Sequence, residues 1–150
     1  MMLLQELTDF YSAHDTTNFN VLDFVHAFGS PLEAMAYSKL FWPDFVELDG
    51  MVFRKDVVED ESDRERVRKA VCTPGWNLAK VEAGFNIVEV PHLFGKRGGE
   101  GSDDLDCDLA RVIGEMWYAR LQQVFPNRKF TVEVDIPSDE PTVTFYQERK

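Results

Sequence analysis

The sequence predicts an α+β fold: an antiparallel sheet of about four strands in two hairpins, with four to five helices packed mainly on one face. Three observations carry this reading. Asp49-Gly50 separates the apolar runs Phe45-Val46-Glu47-Leu48 and Met51-Val52-Phe53, and both turn residues tolerate the positive φ of a tight hairpin. Phe130, Val132, Val134 and Ile136 alternate with polar neighbours, as do Val143 and Phe145, which is the period of half-buried strands. Leu105, Leu109, Val112, Ile113, Met116, Trp117, Leu121 and Val124 form one broad helical stripe that needs a sheet or other helices to cover it. Hairpins segregated from helices belong to an antiparallel layer rather than to alternating parallel units.

The remaining elements follow in chain order. Leu3, Leu4, Leu7, Phe10 and Tyr11 recur at helical spacing and predict a short helix over residues 2–12, followed by a polar turn over 14–18. Asn18 or Asn20 caps a second helix bearing Val21, Leu22, Phe24, Val25 and Phe28, and Gly29 ends it as a residue tolerant of positive φ. Ser30-Pro31-Leu32-Glu33 reads as a helix start. The serine caps, the proline suits the first position, and the glutamate completes a capping box. That third helix stops near Phe41 or Trp42, ahead of Pro43. The charge-dense segment 59–69 reads as an exposed helix supported by weak ion pairs, broken by Thr73-Pro74-Gly75. Residues 76–90 fit a helix through about Ala83, after which Asn86 to Val90 alternates like a strand. The glycine-rich stretch 95–102 reads as a connector. Asp103, Asp104 and Asp106 then favour the positive end of the long helix, which Pro126 and Asn127 close.

The chain has 150 residues, 44% of them hydrophobic with 12 Phe, enough for one globular domain over 1–150 that buries a core without staples. Its formal net charge of -11 repels phosphate backbones and anionic membranes, so nucleic acid and membrane are excluded as expected partners and a basic protein is favoured. Cys72 and Cys107 lack metal or redox spacing and are expected as reduced thiols. The start of the chain meets Glu6 without a basic region and does not read as a signal peptide, and no apolar run reaches membrane-spanning length. A cytoplasmic location is expected.

No pattern of catalytic chemistry emerges, and no catalytic residue, cofactor or metal ligand is assigned. His14, His26 and His92 fall in no zinc spacing, and the His14-Asp15 dipeptide lacks the further ligands a metal phosphohydrolase needs. Asp104, Asp106 and Asp108 stand at alternate positions like the start of a calcium loop. Leu109 occupies the place of the obligatory glycine, and Glu115, at the twelfth position, belongs to a helix. The loop from Gly95 to Gly101 lacks the order of a phosphate-binding loop, and no nucleophile elbow occurs. Glu47, Asp49, Glu133 and Asp135 lie on or beside strands and could meet as a carboxylate pair for a hydrolase, although charges on an outer sheet face are ordinary.

The aromatic group Tyr37, Phe41, Trp42, Phe45 and Phe53 is expected to be mostly core. Trp42, beside the helix-ending Pro43, is expected to stay partly exposed. Rimmed by Asp44, Glu47 and Asp49, it makes a candidate partner-binding spot. The run Ser38 to Glu47 continuing to Phe53, together with Phe125 to Gln147, resembles a small family of uncharacterised bacterial proteins. That resemblance implies a bacterial origin and brings no activity with it. The sequence therefore points to a small acidic binding protein, for example an immunity protein that neutralises a basic toxin. A carboxylate-based hydrolase and a secretion chaperone are the alternatives.

Overall fold

The computed structural model describes Asp9, residues 20–95, residues 102–137 and residues 140–150. The helix expected over 2–12, the turn over 14–18 and most of the glycine-rich connector lie outside the described residues. The described elements are helices α1 (Val21–Phe28) and α2 (Pro31–Phe41), strands β1 (Phe45–Leu48) and β2 (Met51–Arg54), helices α3 (Glu61–Val71) and α4 (Leu78–Asn86), the short strand β3 (Val88–Glu89), helix α5 (Asp103–Val124), and strands β4 (Phe130–Asp135) and β5 (Thr142–Gln147). Single 3-10 turns follow β2 and β3. The fold is α+β, with five α-helices among the described residues.

Local chemistry sets most boundaries. Asn20 Oδ1 accepts from the Asp23 N–H and Asp23 returns the bond to the Asn20 N–H, a reciprocal capping box repeated by Asp60 and Asp63 at α3. At α2 Ser30 Oγ accepts from the Glu33 N–H at 3.1 Å with Pro31 at the first position, but the returning bond from the Glu33 side chain is not formed. Asp49 and Gly50 adopt φ of 52° and 79°, the two positive values of the tight turn joining β1 to β2. Gly29 departs from expectation. Its φ is -80°, so the backbone is extended, and the need for glycine is steric: a Cβ there would lie 2.5 Å from the Val25 carbonyl oxygen. Helix α4 runs three residues beyond Ala83, and the strand that follows is correspondingly short.

The expectation of one four-stranded sheet covered on one face needs two corrections. The strands form a two-stranded sheet, β1-β2, and a three-stranded sheet ordered β3-β5-β4, both antiparallel. Helices cover both faces. Val143 and Phe145 of β5 join Val52, Phe130, Ala110, Ile113, Trp117 and Leu121 in a core beneath α5. On the opposite side Thr144 Oγ1 donates to the Ala83 carbonyl of α4 at 2.6 Å. A second core of Met51, Phe53, Val58, Val67 and Val81 lies between β2, α3 and α4. Strand β2 thus sends Val52 to one core and its neighbours to the other, and all four of its residues are buried. The unbroken run Met51-Val52-Phe53 is the pattern of a strand buried on both faces.

Helix α5 lies close to β4 because Gly114 has no side chain. A Cβ there would overlap the Val134 Cγ2 methyl group. Trp117 Nε1 donates to the Leu40 carbonyl at 2.8 Å, tying α5 to the end of α2. Helices α1 and α2 contain no buried residue, and Leu22 and Leu32 are about four-fifths exposed, at 77% and 81%.

Candidate functional site

The four residues expected to meet a partner follow the end of α2 and the β1-β2 hairpin, and each already has a cation from its own chain. Trp42 is half-buried, with the Arg120 guanidinium 5.4 Å from its ring centroid. Asp44 accepts from Lys39 Nζ at 3.0 Å and faces Arg120 Nη2 at 3.6 Å. The hydrogen bond and charge of Lys39 hold the Asp44 carboxyl below its ordinary range. Glu47 pairs with Arg128 at 2.5 Å, and Asp49 stands 3.8 Å from Arg68. Arg68 is shared with Glu61 and Glu65, and its hydrogen bond to Glu61 raises its pKa. Arg120 and Arg128 come from segments more than seventy residues away. The rim is therefore a set of internally compensated pairs rather than a bare acidic ring. Of the surrounding aromatics, Phe53 is fully buried, Phe41 and Phe45 are partly buried against the core, and Tyr37 remains exposed with Phe94 at 6.0 Å.

A second polar constellation lies where the two sheets meet. Glu82 and Asn86 stand one turn apart on α4, so their side chains leave the same helix face, and both residues are fully buried. Glu82 Oε1 accepts from the Val52 N–H at 3.0 Å and Oε2 from the Gln147 N–H at 2.6 Å. Arg149 adds bonds of 2.6 Å to Oε1 and 3.2 Å to Oε2, and its Nη2 also donates to the Gly50 carbonyl. Asn86 Oδ1 accepts from the Arg54 N–H, and its Nδ2 donates to the carbonyls of Val52 and Phe145. These are the outward main-chain groups of β2 and of the C-terminal half of β5. Two side chains of α4 thus take the place of a strand ladder between the sheets. This explains why the expected single sheet is divided, and why the free edges of β2 and β5 do not face each other directly.

Glu82 is the one fully buried carboxylate among the described residues, and all its bonds are structural: two backbone amides and one bidentate guanidinium. Sequence reasoning missed it, although its position one residue after Val81 on a helix with Leu78 and Phe85 places it on the apolar stripe. Arg54 is similarly enclosed. Its guanidinium grips Asp56 through two bonds, donates to the Asn86 carbonyl, and lies 5.0 Å from the Trp117 ring centroid.

The carboxylates considered for hydrolysis are not brought together. Glu47 is held by Arg128 on the two-stranded sheet, while Glu133 on β4 accepts from Tyr146 Oη at 2.9 Å. That hydrogen bond raises the Tyr146 pKa. Asp104, Asp106 and Asp108 lie within α5, whose rotation of about 100° per residue turns Asp106 to the side opposite Asp104 and Asp108. Asp108 pairs with Arg111. Burial, and then the charge of Asp103, push the Asp106 carboxyl above its ordinary value. Among the described residues no group of three His, Cys, Asp or Glu could hold a metal ion. His92 contacts Glu89 at 2.6 Å, and His26 is exposed in the last turn of α1. Cys72 and Cys107 are unbridged and lie on separate elements.

Two surface grooves lie among the described residues. One, of about 570 Å³, lies between the start of α4 and the end of β5, lined by Asn77, Leu78, Tyr146, Gln147 and Arg149 among others. The second, of about 350 Å³, is walled by Trp76, Phe85, Ile87 and Arg66. The second also holds Asp56 and Asp63, which pair with Arg54 and Arg66. No helix among the described residues is long and apolar enough to cross a membrane. No family model, curated protein or solved structure matches this chain.

Proposed function

We propose that this chain is a small acidic binding protein that engages a basic protein, as an immunity protein neutralising a basic toxin would. One observation carries the reading: the distribution of unpaired acid. Most of the chain's arginines and Lys39 are consumed by internal ion pairs. Asp103, Asp104, Asp106, Glu115, Asp135 and Glu140 form no ion pair among the described residues. Part of the excess behind the net charge of -11 therefore stands around α5 and the β4-β5 hairpin, while Asp23, Glu33, Glu59 and Asp60, elsewhere, likewise form no ion pair among the described residues. A field of that sign accelerates encounter with a basic surface and disfavours acidic competitors. The proposal includes a bacterial origin, as a resemblance of residues 38–53 and 125–147 to small bacterial proteins would imply, and a cytoplasmic site of action.

The test is titration calorimetry against any basic toxin found encoded beside the gene, with cell survival on co-expression as the biological readout. Binding should weaken steeply as ionic strength rises from low to physiological, since exposed charge pairs are screened over a Debye length of about 8–10 Å. Failure to bind at low salt, together with no protection of the cell, would sink the proposal.

A further inference from the structure

Strand β4 forms one outer edge of its sheet, and the register fixes which of its main-chain groups face outward. On β5 the Gln147 N–H is spent on Glu82 and the Phe145 carbonyl on Asn86, so odd-numbered β5 residues direct their hydrogen bonds away from β4. The bonds between β4 and β5 therefore fall at Thr131–Tyr146, Glu133–Thr144 and Asp135–Thr142, in step with the bond from the Glu148 N–H to the Lys129 carbonyl at 2.9 Å. Phe130, Val132 and Val134 lie opposite Gln147, Phe145 and Val143, so their own N–H and C=O groups point out of the sheet. Among the described residues, none of these groups takes part in a hydrogen bond to another segment.

Such an edge is a template for an added strand. Its side chains define the strand it would accept. Glu133 and Asp135 project on the face away from α5; both are exposed, and neither has an ion pair. The face toward α5 carries Val132 and Val134. Tyr118, one turn after Gly114 on the flank of α5 that meets β4, is half exposed at 51%. A second copy of β4 would set Glu133 and Asp135 against the same acids, which is destabilising for charges directly opposite.

We propose that β4 binds an extended basic segment of the partner by strand addition, with its Lys or Arg side chains opposite Glu133 and Asp135 and its alternate apolar residues continuing the Val132 and Val134 face toward Tyr118. This rests on the reading of the chain as a binder of a basic protein and assigns the contact to one edge.

The experiment is an amide NMR titration of the full chain with an acetylated, amidated Lys-Val-Lys-Thr-Lys-Val peptide at low salt. The expected result is shifts and slowed hydrogen exchange at Phe130, Val132 and Val134. The double variant Glu133→Lys/Asp135→Lys should weaken binding about tenfold, the size expected for two lost exposed ion pairs. Val134→Pro should abolish the response while the β4-β5 ladder persists, because only an outward N–H is removed. Shifts confined to Asp103, Asp104 or β1 would overturn the edge assignment and leave the basic-partner reading intact. So would peptide silence alongside retained binding of the gene-adjacent basic protein. Silence toward both would overturn the reading beneath it. Concentration-dependent shifts at β4 without peptide would show a second copy there and also overturn the proposal.

Discussion

At the scale of single residues, Glu82 is the most consequential side chain in the molecule. A carboxylate taken out of water is costly, and here two backbone amides and Arg149 offset that cost together. Glu82→Ala would leave two buried N–H groups without acceptors and Arg149 without its partner. We expect a loss of about 3–5 kcal/mol, read as a fall in the urea midpoint. Arg149→Ala should lose less, because Arg149 is partly exposed and the amides remain to hold the carboxylate. A double-mutant cycle of the two should give a coupling of at least about 1 kcal/mol, since both act on one network. Asp106 predicts the opposite sign. Folding raises its carboxyl above the ordinary value of 3.8, so the folded chain holds the extra proton between the unfolded and folded values. Its contribution to stability is therefore present at low pH and lost as pH rises through the folded value. Asp106→Asn should raise Tm at pH 7 by about 1–2 °C, the shift expected for less than 1 kcal/mol at this chain length. The same variant should show no gain near pH 2, where the native carboxyl is already protonated. A larger gain at low pH than at neutral pH would contradict the assignment. The expected preference of three aspartates for the start of α5 holds for its position in the first turn, but desolvation and Asp103 outweigh the helix dipole at Asp106.

At the scale of elements, local chemistry was readable where a boundary depends on a few neighbouring residues. The Asp49-Gly50 turn, the Ser30-Pro31 helix start, the long α5 and the final hairpin follow from caps, turn residues and periodicity. The division of the sheet was not readable in that way. It depends on Glu82 and Asn86 meeting β2 across thirty or more residues and β5 across about sixty. Nothing in the local pattern of β2 or β5 specifies which group fills the gap between them. The register of α4 carried a clue, because Glu82 and Asn86 share its buried side with Val81. Gly114 is a comparable case: mid-helix glycine has no local rationale, and its reason lies on β4. Gly114→Ala gains about 1 kcal/mol in helix propensity, yet its Cβ overlaps the Val134 methyl. We expect a net loss of about 1–3 kcal/mol from overpacking, measured by chemical denaturation. Val134→Ala in the same chain should recover most of that loss by clearing the space. If Gly114→Ala stabilises the protein on its own, the close approach of α5 to β4 is not a constraint.

At the scale of the whole molecule, the charge around the candidate residues Trp42, Asp44, Glu47 and Asp49 was not legible from the chain for the same reason. Trp42 and Asp44 share Arg120, while Glu47 and Asp49 pair farther along the hairpin with Arg128 and Arg68. Arg120, Arg128 and Arg68 reach them from distant segments and neutralise much of what a charge count along the chain assigned to that region. The acids left without an ion pair include Asp103, Asp104 and Asp106, contiguous in sequence at the start of α5, and Glu133 and Asp135 on β4. The same long-range logic governs how the two sheets move together. Val52 and Arg54 amides have no strand partner on their outward side and are held solely by Glu82 and Asn86. If those side chains join the sheets into one cooperative unit, the two amides should exchange hydrogen only on global unfolding, with protection equal to that of the β4-β5 ladder. Asn86→Ala removes the Arg54 acceptor and both donors to the facing carbonyls. It should speed exchange at Val52 and Arg54 by more than about tenfold relative to the β4-β5 amides, because a lost local restraint of only about 1.4 kcal/mol already gives that factor. The inner amides Met51 and Phe53, bonded to β1, serve as the comparison within the same hairpin. Uniform acceleration across both sheets would mean that Asn86 contributes to global stability without linking them; selective opening at β2 would identify α4 as the joint on which the two halves depend.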